Sequence, residues 1–159
     1  MSETYHIDVQ VEDQVGEVDV QPIDDAVRLT LLHLSAEPGA EVTVVLSDDE
    51  ALEDLNRRYR GIASPTDVLS FENQARGPYA VGATGFPMYL GDIVISVDRA
   101  VAQAAASDGS LAEELQVLAV HGTLHLMGYD HGDDVEKARM WQVQGEILAL
   151  LGVSIALPE

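Results

Sequence analysis

The chain has 159 residues, with 28 acidic and 8 basic side chains and a formal net charge of −20. A chain of this length can bury roughly two-thirds of its unfolded surface, so a single domain over residues 1–159 is expected. Because the sequence contains no cysteine, disulfides and thiolate metal sites are excluded, and any transition-metal site has to use histidine and carboxylate.

The sequence carries no signal for a membrane or for secretion. Its apolar runs are shorter than the roughly 18 residues of a membrane-spanning helix, and its N-terminal residues do not resemble a signal peptide. A soluble, cytoplasmic protein without a membrane partner is therefore expected. The acidic charge alone disfavours a nucleic-acid partner. However, Arg57, Arg58 and Arg60 concentrate three of the 8 basic residues within one short segment.

Hydrophobic periodicity and capping signals predict an α+β fold in which one mixed sheet packs against helices. The expected strands are Tyr5–Val11, Glu41–Leu46, Asp67–Phe71 and Leu90–Ser96. The expected helices run from Asp24 or Asp25 to Leu34, from Asp48 to Tyr59, from Asp98 to Ala106, from Ser110 to Gly128, and from Asp133 or Asp134 to Leu151. Two capping boxes, Ser47 with Glu50 and Ser110 with Glu113, begin the second and fourth helices. Residues 73–88, rich in glycine and proline, are expected to form a loop or flap.

Residues 121–131 read HGTLHLMGYDH and carry the strongest chemical signal in the sequence. His121 and His125 are four positions apart on a predicted helix, which places their Cβ atoms about 5–6 Å apart on one face. Gly128 allows a sharp turn, after which His131 can return as a third ligand. Three neutral imidazoles suit one zinc ion, and three protein ligands leave a fourth position open for water.

The same segment bears on whether the zinc site is structural or catalytic. A closed structural site needs four protein ligands, commonly including cysteine, which this chain lacks. Asp130 or Asp133 could supply a fourth ligand, but Asp130 is more simply an acceptor for a ring N–H or a turn residue. The open, water-bearing site is favoured. The other histidines, His6 and His33, lie in separate predicted elements and are interpreted as structural.

The spacing H-x-x-x-H-x-x-G-x-x-H is also that of the metzincin metalloproteases. Those enzymes carry a glutamate directly after the first histidine as general base, whereas this chain has Gly122 there. Peptide hydrolysis by that mechanism lacks its proton acceptor here. A metzincin-like zinc peptidase stays as an alternative that would need a carboxylate from elsewhere.

The sequence resembles the YbeY family of bacterial metal-dependent endoribonucleases. The resemblance rests on HGTLHLMGYDH at 121–131, LNRRYRG at 55–61 followed by PTDVLSF at 65–71, and LGDIVIS at 90–96. These segments occur in the family's order and span most of residues 41–151. Two features differ from the family pattern: Glu72 stands where many members have proline, and residues 73–88 are rich in glycine.

The resemblance implies a zinc-dependent, single-strand-specific endoribonuclease that acts in maturation of the 16S ribosomal RNA 3′ end and in ribosome quality control. It implies one Zn²⁺ per chain with His121, His125 and His131 as ligands, His121 also being catalytic. It further implies that Arg60 corresponds to the family's functionally important arginine. Ribosomal RNA is the partner that this similarity indicates.

An arginine suits such a reaction because attack on a phosphodiester builds negative charge on the equatorial oxygens, which a guanidinium fork can stabilise. Arg60 is the candidate for that role, while Arg57, Arg58 and Ser70 are expected to bind substrate. The zinc water could attack phosphorus directly or act as base on the 2′-hydroxyl to give a cyclic phosphate. The sequence leaves both routes open.

A third function class is a non-catalytic ribosome assembly factor. Fifteen of the 28 acidic residues lie in residues 1–54, where Arg28 is the only basic residue. Such an acidic face suits basic ribosomal proteins as partners. This role could also coexist with catalysis.

Overall fold

The computed structural model of the chain describes residues 5–72 and 89–153. The loop predicted for residues 73–88 therefore lies outside the described residues. None of the helices in these two ranges combines the length and the apolar character that crossing a membrane requires.

The described ranges contain four strands, five α-helices and a short 3-10 helix at Asp13–Val15. The strands are β1 His6–Val11, β2 Glu41–Ser47, β3 Val68–Glu72 and β4 Tyr89–Ser96. The helices are α1 Gln21–His33, α2 Asp49–Arg60, α3 Val97–Ser107, α4 Leu111–Leu126 and α5 Asp134–Leu151. The α+β class and the mixed sheet predicted from the sequence are confirmed.

One sheet holds the described strands in the order β1-β2-β4-β3. The first three run parallel, and Val44 of β2 aligns with Val9 of β1 and with Ile93 of β4. β3 is antiparallel to β4, with Ser70 opposite Ile93. β3 also contacts both α2 and α4, so this edge strand lies between the two helices.

The two faces of the sheet pack against different helices. Val44 and Ile95 belong to the main core, which β2 and β4 form together with α1, α4 and α5. On the opposite face, Leu69 and Val94 pack with Leu52 of α2 in a smaller cluster. α4 is buried on most of its circumference, as expected for a helix that is apolar nearly all round. Side chains on α4 therefore have a position set by the core.

The start of α1 differs from the prediction. The helix begins at Gln21, one turn before the predicted cap at Asp24 or Asp25. Pro22 in the first turn already has a helical φ, and Asp19 accepts a hydrogen bond from the Gln21 amide at 3.1 Å. Asp24 instead pairs with Arg28 one turn further on, at 2.9 Å.

The capping box predicted from Ser47 and Glu50 is wrong. Ser47 is the last residue of β2, where its hydroxyl donates to Glu12. Asp48 caps α2 instead, and its side chain accepts a hydrogen bond from the Ala51 amide at 2.9 Å. The strand continues one residue further than predicted, which moves the cap to the next acceptor.

The caps around α4 and α5 agree with the sequence. The capping box of Ser110 and Glu113 is present at the start of α4. The chain leaves this helix through Gly128, whose φ of 98° is the left-handed conformation expected there. Asp133 caps α5 by accepting a hydrogen bond from the Glu136 amide at 2.8 Å.

One carboxyl group of α4 is buried without a full set of partners. Glu114 is 6% exposed, and its Oε1 atom has no hydrogen-bond partner among the described residues. Burial raises the pKa of this carboxyl group, and the negative charge of Asp67 raises it further. The protonated carboxyl group of Glu114 therefore contributes fully to the free energy of unfolding below the usual pKa of glutamate. This contribution is lost as the pH rises through the raised pKa of Glu114.

We expect Glu114→Gln to raise the melting temperature more at pH 8 than at pH 5, because the amide does not ionise. A change of 1 kcal/mol shifts the melting temperature by roughly 2–4 °C in a domain of this size, which calorimetry in the presence of chelator resolves. Glu37→Gln, on an exposed turn, is the matched control. An equal gain at both pH values would contradict the role of ionisation.

Candidate metal centre

Three histidines from the end of α4 and the turn after it converge at one point. His121 and His125 lie one helical turn apart, and their Nε2 atoms are 3.2 Å apart. His131 comes back from the turn, and the ligand nitrogens of the three lie within 4.8 Å of one another. Nitrogens at about 2.0–2.1 Å from a tetrahedral zinc are roughly 3.3 Å apart. The donor set and its spacing therefore fit a single ion.

The turn that returns His131 has identifiable local causes. Gly128 takes the positive φ that reverses the chain, and its amide donates to the His125 carbonyl at 3.0 Å. Asp130 then accepts a hydrogen bond from the His131 amide at 2.7 Å. His131 itself is exposed, and the edge of its ring meets Trp141 of α5 at a centroid distance of 5.7 Å. The turn holds the third histidine, and its ring also contacts the rings of His121 and His125 at centroid distances of 5.7 Å and 5.1 Å.

Hydrogen bonds orient the two histidines of the helix. The Nδ1 atom of His125 lies 3.0 Å from the backbone carbonyl oxygen of Tyr129. The Nδ1 atom of His121 lies 3.0 Å from Oε1 of Gln144 on α5. Because both acceptors face Nδ1, each ring presents Nε2 to the centre.

The environment favours the neutral form of the two helical imidazoles. The pKa of His121 is lowered from 6.5 to about 4, mainly by burial. The hydrogen bond with Gln144 raises this pKa, whereas the neighbouring His125 and His131 lower it further. Burial also lowers the pKa of His125. Neutral imidazole is the form that binds a cation, so protons compete less for these nitrogens than for exposed histidines.

The carboxylates considered as a fourth ligand have other roles. Asp130 accepts the hydrogen bond from the His131 amide, and Asp133 caps α5. Among the described residues, the three histidines form a potential metal-ligand group without a carboxylate. This arrangement is the one that leaves a position open for water.

The packing of α4 explains why no glutamate follows His121. Gly122 faces the sheet, where an added Cβ atom would lie 2.7 Å from Cγ2 of Ile93 and 3.1 Å from the hydroxyl oxygen of Ser70. Carbon atoms normally approach to about 3.5–4.0 Å, so a side chain here would push α4 off the sheet. The position that carries the base in metzincins is therefore a packing position in this fold.

A groove of about 940 Å³ connects the three histidines with the C-terminal end of α2. Its lining includes Tyr59 and Arg60 of α2 and residues 66–72 of the β3 segment. Arg60 is the last residue of α2 and is exposed. In the described part of the chain no carboxylate pairs with it, so its guanidinium is available to an anion in the groove.

The other predicted substrate contacts are placed differently. Arg57 and Arg58 both pair with Asp54 on α2, and Arg58 Nε lies 3.1 Å from Asp54 Oδ2. Both are exposed at the helix end, outside the described lining of the groove. Ser70 lines the groove, but its hydroxyl donates to the Gly122 carbonyl at 3.1 Å and so joins β3 to α4. Substrate binding by these residues stays a prediction.

Three residues of the site were not identified from the sequence. Gln144 interrupts the apolar stripe of α5, and a polar residue in such a stripe was the available signal. Tyr59 lies next to the arginine cluster and is 61% exposed. This exposure marks it as a residue of the site, but the sequence alone does not reveal it. Trp141 had no sequence signal that connected it with the histidines.

The two remaining histidines, His6 and His33, lie away from the metal centre, and His33 is 3.2 Å from Glu146 of α5.

Sequence comparisons with known proteins agree on one family. The family model described as "Endoribonuclease YbeY" matches residues 7–152. A relative with that description from Geobacillus kaustophilus is 44% identical over 156 residues, covering 95% of this chain and 99% of its own. Another, from Symbiobacterium thermophilum, is 52% identical over 116 residues, 73% of this chain and 74% of its own. The solution structure of TM1509 from Thermotoga maritima has a similar fold, with a TM-score of 0.56 and 24% identity, over 92% of this chain and 89% of that one.

Proposed function

The chain belongs to the endoribonuclease YbeY family, and on that premise we propose that it is a zinc-dependent endoribonuclease whose centre is formed by His121, His125 and His131. The observation that carries the proposal is that these histidines and Arg60 line the same groove. When bound, a zinc ion lowers the pKa of its water to about 7, which makes hydroxide available near neutral pH.

The side chains of the groove have distinct roles in this proposal. The three imidazoles hold the ion and leave a position for water. Arg60 directs its guanidinium at the phosphate, where a fork of N–H donors stabilises the charge that develops on the phosphoryl oxygens. The reaction remains one of phosphodiester cleavage, either by direct attack of water or through the 2′-hydroxyl.

The groove also supports single-stranded RNA as the substrate. The exposed ring of Tyr59 lies beside Arg60, and Phe71 meets it edge-on at a centroid distance of 5.4 Å. An exposed aromatic ring offers a face on which an unpaired base can stack, whereas the bases of a duplex are already stacked on each other. Local contacts of this kind allow RNA to bind despite the net charge of −20.

The cellular setting proposed from the family resemblance is maturation of ribosomal RNA, at the 16S 3′ end, and ribosome quality control in the cytoplasm. Basic ribosomal proteins are proposed as further partners. The support for them is the acidic residues of the N-terminal third, which complement a basic surface.

Metal analysis combined with an RNA cleavage assay tests the proposed activity. We expect about one zinc per purified chain by mass spectrometry, loss of cleavage after chelation, and recovery on adding zinc back. Unchanged cleavage by the chelated protein would contradict the metal centre. Cleavage of casein without cleavage of RNA would favour the peptidase alternative, and inactivity on both would favour an assembly factor.

A further inference from the structure

A buried amide on α5 lies directly behind the metal centre. Gln144 has no exposed surface, and its Oε1 atom is 3.0 Å from Nδ1 of His121. The other buried side chains of this helix are apolar: Met140, Ile147 and Leu148. Gln144 is therefore a polar residue in a stripe that otherwise packs against the core.

Stability of the fold does not account for this residue. The Nε2 atom of Gln144 is buried and has no hydrogen-bond partner among the described residues. A buried donor without a partner lowers the free energy of unfolding, whereas an apolar side chain of similar volume carries no such donor. The only hydrogen bond that the side chain of Gln144 makes in the described ranges is with His121.

We infer that Gln144 is a positioning residue that keeps the proton of His121 on Nδ1, so that the Nε2 lone pair is directed at the metal. The amide oxygen can only accept a hydrogen bond, so Nδ1 has to donate. A histidine ligand whose second nitrogen is held in this way keeps both its tautomer and its ring orientation. The inference rests on the proposed metal centre.

His125 provides an internal comparison. Its Nδ1 atom faces the backbone carbonyl of Tyr129 at 3.0 Å, which is the same arrangement with a different acceptor. A backbone acceptor stays in place when side chains are changed. Gln144 is thus the side chain through which the orientation of a helical ligand can be altered without changing the ligand itself.

Two substitutions separate the effect of the hydrogen-bond acceptor at position 144 from the effect of the volume of the side chain. Gln144→Met keeps a side chain of similar length without an acceptor, whereas Gln144→Glu keeps the acceptor. Zinc affinity is measured on the full chain by competition with a chromogenic chelator, and the melting temperature of the metal-free protein is measured in parallel. Met140→Leu, one turn away in the same buried stripe, is the matched packing control.

We expect Gln144→Met to weaken zinc binding by about 10–100-fold, the range found when the partner of a histidine ligand is removed. Gln144→Glu and Met140→Leu should bind zinc within a few-fold of the wild type. The melting temperature of metal-free Gln144→Met should equal or exceed that of the wild type. A zinc affinity of Gln144→Met equal to that of the wild type would overturn the positioning role. Equal losses of zinc affinity in Gln144→Met and Gln144→Glu would also overturn it.

A measurement on the unaltered chain avoids dependence on variants. Long-range ¹H–¹⁵N spectra of the zinc-loaded wild type report which ring nitrogen carries a proton. We expect the proton of His121 on Nδ1, and a proton on Nε2 would refute the inference. A wild type that binds no zinc would instead refute the proposed metal centre, so the two failures are distinguishable.

Discussion

Arg60→Ala is expected to cleave single-stranded RNA roughly 10²–10³-fold more slowly than the wild type, the loss found when one donor to a developing oxyanion is removed. The reason is its position: Arg60 lies in the groove with the histidines, and no carboxylate of the described chain pairs with it. Single-turnover cleavage of a labelled RNA at saturating enzyme measures the effect on the chemical step.

The fold and the metal centre should not change in this variant, because Arg60 is an exposed residue at the end of α2. Its melting temperature and zinc content serve as controls. Arg57→Ala is the matched variant, since that arginine pairs with Asp54 outside the described lining of the groove. Its activity should recover at higher RNA concentration. Wild-type cleavage by Arg60→Ala would show that the guanidinium does not act on the phosphate.

His125→Ala is expected to lower the zinc content from about one equivalent to less than roughly a tenth, because two imidazoles replace three. RNA cleavage should fall with the zinc content. Zinc at about 100 times its dissociation constant stabilises a fold by about 2.7 kcal/mol, which corresponds to roughly 5–10 °C in a domain of this size. Zinc should therefore raise the melting temperature of the wild type and not that of the variant.

His33→Ala is the control for His125→Ala, because His33 lies near Glu146 and away from the centre. It should keep the zinc content and the zinc-dependent rise in melting temperature of the wild type. Mass spectrometry of metal content and calorimetry with and without chelator provide both readouts. Stoichiometric zinc in His125→Ala and in a matching His131→Ala would mean that the ion binds elsewhere.

Features that depend on near neighbours in the chain could be predicted from the sequence. The pairing of His121 with His125 follows from helical spacing, and the return of His131 follows from the turn at Gly128. The capping box at Ser110 is equally local. In each case the residues that cooperate lie within about one or two turns of each other, so local conformation decides the outcome.

Features that depend on packing between distant elements could not be predicted. Gln144 reaches His121 only because α5 packs against α4, and Arg60 lines the groove only because β3 contacts both α2 and α4. The error at Ser47 has a related cause, since pairing of β2 with β4 extends through this residue and removes it from the cap. Tertiary contacts outweigh the local preference there.

The three histidines differ in how firmly the fold holds them. His121 and His125 belong to a helix buried in the core, whereas His131 lies on an exposed turn. We expect release of an ion from the proposed centre to start at His131, which can rotate into solvent by a local opening that leaves the core intact. Metal exchange at the proposed centre should then be faster than global unfolding. The ion bound there is expected to follow the metals available in the surroundings rather than the one present when the chain folded.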